Sequence, residues 1–227
     1  MDSIARRFAT VREQLRQAEI TAQRPFGSVQ LLAVSKTKPA GDIAAAYRIG
    51  QRHFGENYLQ EALKKQQELA AFNISWHFIG PIQSNKTKPI AQHFAWVHSV
   101  DRLKIAERLS EQRPDYLPPL NICLQVNISD EASKSGIELT DLPTLIEQVG
   151  KLPRLRLRGV MAIPEPQQDY QAQCLPYRRL YQAVRHLNRS DLDTFSFGMS
   201  GDLQAAISEG STLVRIGTAL FGERPSQ

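Results

Sequence analysis

The chain has 227 residues, 41% of them hydrophobic and 22% charged, with 28 basic and 23 acidic residues giving a formal charge of +5. That length fits one (β/α)8 barrel near the lower size limit or two small domains, and the composition excludes a disordered or low-complexity chain. The charge is spread along the chain without a nucleic-acid signature, no apolar run is long enough to span a bilayer, and the two cysteines have no metal-ligand spacing.

The first segment, MDSIARRFATVREQLRQAEITAQR, repeats Ile4, Phe8, Val11, Leu15 and Ala18 at four- and three-residue intervals behind Ser3, an available N-cap. This predicts one amphipathic helix. Arginines and acids interrupt it throughout, so it has no signal-peptide hydrophobic region, and Glu13 and Glu19 argue against a transit peptide. With cysteines suited to a reducing compartment, the reading is cytoplasmic.

From Val29 onward eight short apolar or β-branched runs follow, over 29–36, 52–57, 75–81, 95–101, 120–127, 155–163, 194–200 and 213–222. Between them lie helical patterns such as PAGDIAAAYRIG, YLQEALKKQQELAAF, DRLKIAERLSEQ, TDLPTLIEQVGKL, YRRLYQAVRHLN and GDLQAAISEG. Successive strands begin about 26 residues apart, close to one βα unit. Strands alternating with helices imply a parallel sheet, and eight units let it close into a (β/α)8 barrel after the N-terminal helix. An open six- or seven-stranded sheet is the structural alternative. No Pro/Gly/Ser linker divides the chain and only five residues follow the last run, so one domain over 1–227 is expected. The basic stretch PRLRLRG, with Arg154, Arg156 and Arg158, reads as a solvated strand entrance.

The tetrapeptide KTKP occurs twice, at 36–39 and 86–89. Lys36 follows the apolar run Leu31 to Val34 and is expected at the rim of the first strand, where apolar walls lower an amine's pKa and make it nucleophilic. Lys86 and Lys88 follow GPIQSN, with an N-cap expected at Ser84 or Asn85, and read as solvated first-turn residues. On residue type alone a rim lysine is more often a surface charge than a Schiff-base former, and the other strand ends shift that balance. Asn57 closes the second strand, His77 lies inside the third, and FSFGMSGD sets Ser200 and Gly201 before a helix, an anion-binding arrangement or a plain cap. Gly217 and Thr218 follow in RIGT, offering close backbone approach and a hydroxyl, or a tight turn. Loops after strands seven and eight are the usual phosphate cradle of such barrels. A lysine across the mouth from a phosphate grip suits pyridoxal 5′-phosphate.

The stretches LLAVSKTKP, FGENYLQEALKK, WHFIGPIQSNK, QVNISDEASKSG, RGVMAI, FSFGMSGD and VRIGTALFG run in order over essentially the whole chain. Together they resemble the pyridoxal phosphate homeostasis protein family, itself similar to the N-terminal barrel of alanine racemase. The resemblance implies a single-domain barrel with the cofactor bound as an internal aldimine to Lys36. It also implies that Ser200, Gly217 and Thr218 grip the phosphate and that Arg215 faces the pyridine nitrogen. Asn57, His77 and Met199 match positions near the cofactor. Lys134, in the SDEASKSG loop, reads either as an auxiliary amine that steers the phosphate or as part of a solvated loop, and Lys38 has the same standing.

An arginine only donates hydrogen bonds and keeps its proton, so Arg215 opposite the ring nitrogen leaves that nitrogen unprotonated and the cofactor a weak electron sink. Racemisation also needs a second acid/base group, which alanine racemase takes from a tyrosine of its C-terminal domain. Tyr47, Tyr58, Tyr116, Tyr170, Tyr177 and Tyr181 all fall in expected helices or connections. The family resemblance is therefore the main reading: it implies a carrier, without classical catalysis and favoured as a monomer, that buffers pyridoxal phosphate and delivers it to apo enzymes, acting on amino-acid and keto-acid balance. No nucleic-acid, membrane or metal partner is expected. The competing reading is a small amino-acid racemase, or a lyase using Lys36 without cofactor.

Overall fold

A computed structural model describes residues 3–129 and 135–223. Eight strands run in chain order: β1 (Gln30–Val34), β2 (His53–Glu56), β3 (Ser75–Phe78), β4 (Trp96–Val100), β5 (Leu120–Gln125), β6 (Leu155–Met161), β7 (Thr194–Ser196) and β8 (Leu213–Ile216). All pair in parallel with their sequence neighbours, and β8 pairs with β1 through Leu32 opposite Arg215, closing the barrel. The open-sheet alternative is thereby excluded.

Helix α1 (Ile4–Thr21) precedes the barrel. Ser3 Oγ accepts from Arg6 N as its N-cap, and Phe8, Val11, Leu15 and Ala18 form its buried stripe, with Phe8 edge-on to Phe221 at 5.7 Å between centroids. Its buried Glu19 accepts from the backbone N–H groups of Gly27 (3.0 Å) and Val29 (2.8 Å), which fixes the chain's entry into β1. The remaining helices are α2 (Ala40–Arg48), α3 (Leu59–Glu68), α4 (Thr87–His93), α5 (Leu103–Gln112), α6 (Leu142–Val149), α7 (Tyr170–His186), α8 (Leu203–Ser208) and α9 (Thr218–Phe221).

Three local expectations change. Helix α7 begins at Tyr170, ahead of the YRRLYQAVRHLN pattern, because Asp169 caps it by accepting from Ala172 N at 2.8 Å, and Pro176 is carried inside it. The apolar run 213–222 is split, since β8 stops at Ile216 and the short α9 follows Gly217. Neither Ser84 nor Asn85 caps α4 with its side chain; Ser84 instead supplies a carbonyl to Thr87 Oγ1 at 3.0 Å, within a short 3-10 turn over Ser84–Lys86.

The strands' alternate positions divide the core. Leu31, Ala33, Phe54, Trp76, Phe78, Val97, Ile122, Val160, Phe195, Val214 and Ile216 belong to one hydrophobic cluster with the helices. The other set faces the barrel interior, and it is unusually polar for a layer that branched apolar side chains ordinarily fill. His77, His98, Ser196 and Arg215 are all buried there. Gly55 leaves space for its neighbours, since a Cβ would lie 3.2 Å from both Leu32 and Ile79. Gly159 permits the close approach of β6 and β7: a Cβ there would stand 1.8 Å from Thr194 O.

Candidate functional site

Lys36 follows β1 after one residue, as the apolar run predicts, and is half-buried. A pocket at the C-terminal end of the barrel is lined by Val34, Lys36, Thr37, Lys38, Gly217, Thr218 and Gly222. It unites the expected nucleophilic lysine with the two β8-loop residues expected to hold phosphate. Its volume is only about 30 Å³, whereas a groove of about 460 Å³ lies elsewhere, between α1, α7 and the turn before α8. The larger groove contains no lysine, so chemistry favours the small pocket as the centre of the site. Gly217 lies against β1 closely enough that a Cβ would sit 3.3 Å from Val34 O.

Met199 and Ser200 belong to the neighbouring β7 loop and are exposed; Ser200 lines the larger groove and is absent from the pocket around Lys36. That loop turns at Gly198, with φ +89°, where a Cβ would meet Ala206 Cβ at 2.6 Å. Asp202 holds the turn by accepting from Met199 N at 2.7 Å and from the buried Tyr177 hydroxyl at 2.5 Å. Burial and the Asp202 carboxylate push the Tyr177 phenol well above its usual range, so it remains a neutral donor.

Arg215 lies inside the barrel. Its Nη1 donates to Ser196 Oγ at 2.8 Å and to Ser196 O, and its Nη2 donates to Ala162 O at 3.0 Å. His77 does not line the pocket around Lys36. It is the middle of a buried chain, with Nε2 3.0 Å from His53 Nδ1 and Nδ1 2.8 Å from His98 Nε2, while His98 Nδ1 stands 2.8 Å from Ser196 Oγ. Desolvation holds all three imidazoles below their usual range. His98 is lowered to about 3, with the Arg215 charge adding to burial. Burial thus favours the neutral form of each ring.

The two auxiliary lysines named from the sequence differ in what can be said of them. Lys38 is buried, and its Nζ donates to Gly222 O (2.9 Å) and Glu223 O (2.7 Å), clasping the chain after β8 to the β1 loop. Lys134 lies outside the described residues. His53, His98 and Ser196 were not singled out from the sequence; the inward alternation of a histidine in WVHSVD and a serine in TFS was the available signal. Lys65 and Glu56 were also missed, because their partners are distant in sequence.

The donor set fits a phosphorylated aldehyde. Lys36 supplies an amine, Gly217 and Thr218 close backbone and a hydroxyl, and Arg215 a permanent cation. At the end of β2, Asn57 Oδ1 is buried without a hydrogen-bond partner among the described residues, an acceptor awaiting a ligand or water. Among the described residues no group of three or more His, Cys, Asp or Glu is arranged to hold a metal, and no helix is long and apolar enough to cross a membrane.

A family model described as "Alanine racemase, N-terminal domain" matches residues 7–225. The chain is 62% identical over 224 residues to a Pseudomonas aeruginosa protein named pyridoxal phosphate homeostasis protein, covering 99% of this chain and 97% of that one. It is 52% identical over 229 residues to the Escherichia coli K12 protein of the same name, covering 99% and 98%. Among solved structures, PipY of Synechococcus elongatus with PLP bound aligns at 38% identity and a TM-score of 0.83, covering 97% of this chain and 100% of that one. Alanine racemase from Corynebacterium glutamicum, at 16% identity and TM-score 0.70, shares the fold; this chain spans 61% of its length.

Proposed function

This chain belongs to the pyridoxal phosphate homeostasis protein family, built on the alanine racemase N-terminal fold, and we propose that it binds pyridoxal 5′-phosphate through Lys36 and holds it for delivery. The observation that carries this reading is the pocket shared by Lys36, Gly217 and Thr218 at the C-terminal end of the barrel. When bound, the cofactor would supply an aldehyde, and Lys36 would hold it through its amine.

The chain's own residues divide the remaining work. Gly217 and Thr218 offer the phosphate a close backbone and a hydroxyl, with Ser200 on the adjacent loop. Asn57 offers an acceptor, and Met199 stands at the exposed edge of the mouth. Arg215, which keeps its proton, would stand against the ring nitrogen and leave it unprotonated, so electron withdrawal from a bound substrate would be weak. Lys38 and Lys134 are accessory cations, Lys38 acting through its hold on the chain after β8.

The pocket around Lys36 measures about 30 Å³, so a bound cofactor would extend beyond it over the strand ends. Every tyrosine lies in a helix or connection, none on a strand. We therefore read the protein as a cytoplasmic, monomeric, single-domain carrier that performs no classical catalysis and donates to apo enzymes.

The test mixes loaded protein with an apo enzyme dependent on pyridoxal phosphate, and separately with amino acids in deuterated water. Reactivation of the apo enzyme without α-hydrogen exchange supports the carrier. Stereochemical inversion with α-deuteration establishes a racemase instead.

A further inference from the structure

Lys65, on α3, is fully committed beneath the β1 loop. Its Nζ donates to Ser35 O at 2.7 Å and to Glu56 Oε1 at 2.9 Å, and it also pairs with Glu61 one helical turn earlier. The three donors of one ammonium thus meet three acceptors. Glu56 is buried at the end of β2, and its Oε1 also accepts from Ser35 Oγ at 2.5 Å. Glu61 Oε1 accepts from Thr37 N at 2.6 Å. Thr37 has φ +63°, a left-handed conformation that a β-branched residue adopts only when its surroundings impose it. The residues immediately before and after Lys36 are therefore both gripped by one buried ionic cluster.

We propose that Lys65, with Glu56 and Glu61, is a positioning clamp that imposes the left-handed turn at Thr37 and so aims the Lys36 amine into the mouth of the barrel. This rests on the reading of Lys36 as the covalent anchor. Lys65 acts through the main chain at Ser35 and, by way of Glu61, at Thr37. Such a cluster is a costly way to stabilise a barrel, because desolvating a lysine and a glutamate offsets most of their attraction. Its geometric product is a backbone held on both sides of one side chain, where misplacement by about 1 Å can cost a hundredfold in reactivity.

The test uses full-length protein loaded with pyridoxal phosphate, reduced with borohydride and peptide-mapped, with amide hydrogen exchange at Thr37 followed on the unreduced protein. In wild type, Lys36 carries the adduct and the Thr37 amide is protected. Glu61→Ala removes the Thr37 acceptor from a half-exposed side chain. It is expected to lose that protection and weaken cofactor binding at Lys36 by roughly tenfold. Thr37→Gly in the Glu61→Ala background restores binding, because glycine enters the left-handed region without a Cβ penalty. A contribution of Glu61 to α3 stability alone would not be rescued in this way. If Glu61→Ala fails to fold, the pair Lys65→Met with Glu56→Gln, which removes both buried charges together, must show the same loss. Unchanged occupancy of Lys36 in the folded variant, or no recovery on adding Thr37→Gly, overturns the clamp while the Lys36 reading stands. A wild-type protein with no adduct on Lys36 overturns both.

Discussion

Arg215 Nη1 donates to Ser196 Oγ at 2.8 Å. Because a guanidinium cannot accept, the serine's own proton is available to His98 Nδ1, also 2.8 Å away. With His98 donating from Nε2 to His77 Nδ1, and His77 from Nε2 to His53 Nδ1, one neutral tautomer pattern satisfies the whole chain. The buried guanidinium, the serine and the three imidazoles thus form one continuous hydrogen-bonded chain across the barrel interior.

This chain makes stability sensitive to acid. Folding holds the pKa values of His77 and His98 below the ordinary 6.5, so below that pH the unfolded chain binds more protons and stability falls. Their contribution is intact above pH 6.5 and is lost progressively on acidification. Each group adds about 1.4 kcal/mol per pH unit to the slope. Burial raises the Glu56 pKa from 4.5, an opposing effect that lowers stability as pH rises above 4.5. Urea unfolding between pH 4.5 and 6 is expected to show a slope shallower by about 1.4 kcal/mol per unit in His98→Asn than in wild type. Equal slopes would mean that His98 is not held neutral.

Gly159 and Gly27 give a paired test of close approach against strain. A Cβ on Gly159 collides with the Thr194 carbonyl at 1.8 Å, whereas at Gly27, with φ +75°, it meets nothing within 4 Å. Gly159→Ala is expected to cost about 3 kcal/mol by forcing β6 from β7, and Gly27→Ala about 1 kcal/mol from backbone strain alone. Chemical denaturation of both variants measures the difference.

Lys38→Met removes the two charge-assisted bonds from Nζ to Gly222 O and Glu223 O. A loss of about 2 kcal/mol is expected, because the freed carbonyls regain water at the barrel's edge. Limited proteolysis is expected to cut first after Phe221. An unchanged midpoint and cleavage pattern would reduce Lys38 to a surface charge.

Much of this architecture was legible in the sequence because each strand is a short apolar run ahead of a polar turn, and eight such runs at βα spacing leave few alternatives. The start of α7 was hidden by Pro176 and the polar stretch ahead of it, although the Asp169 cap was present three residues before Ala172. Lys36 stood out through Leu31 to Val34. The cluster around Lys65 did not, since Ser35 and Glu56 lie 30 and 9 residues away and only the closed barrel brings them together. Likewise His53, His98 and Ser196 come from three different strands, and no local pattern distinguishes a buried neutral imidazole from an exposed one. Ser200 was legible as a residue ahead of a helix, but its place in the groove beside α1 depended on how the β7 loop turns at Gly198.

The central claim is that Lys36 is the covalent anchor for pyridoxal phosphate, and site-resolved mapping after borohydride reduction tests it directly. In protein loaded with one equivalent of cofactor, the account predicts a pyridoxyl group on the peptide containing Lys36. That modified peptide is predicted to be absent from Lys36→Ala. A wild-type map with the adduct on another lysine, or on none, contradicts it.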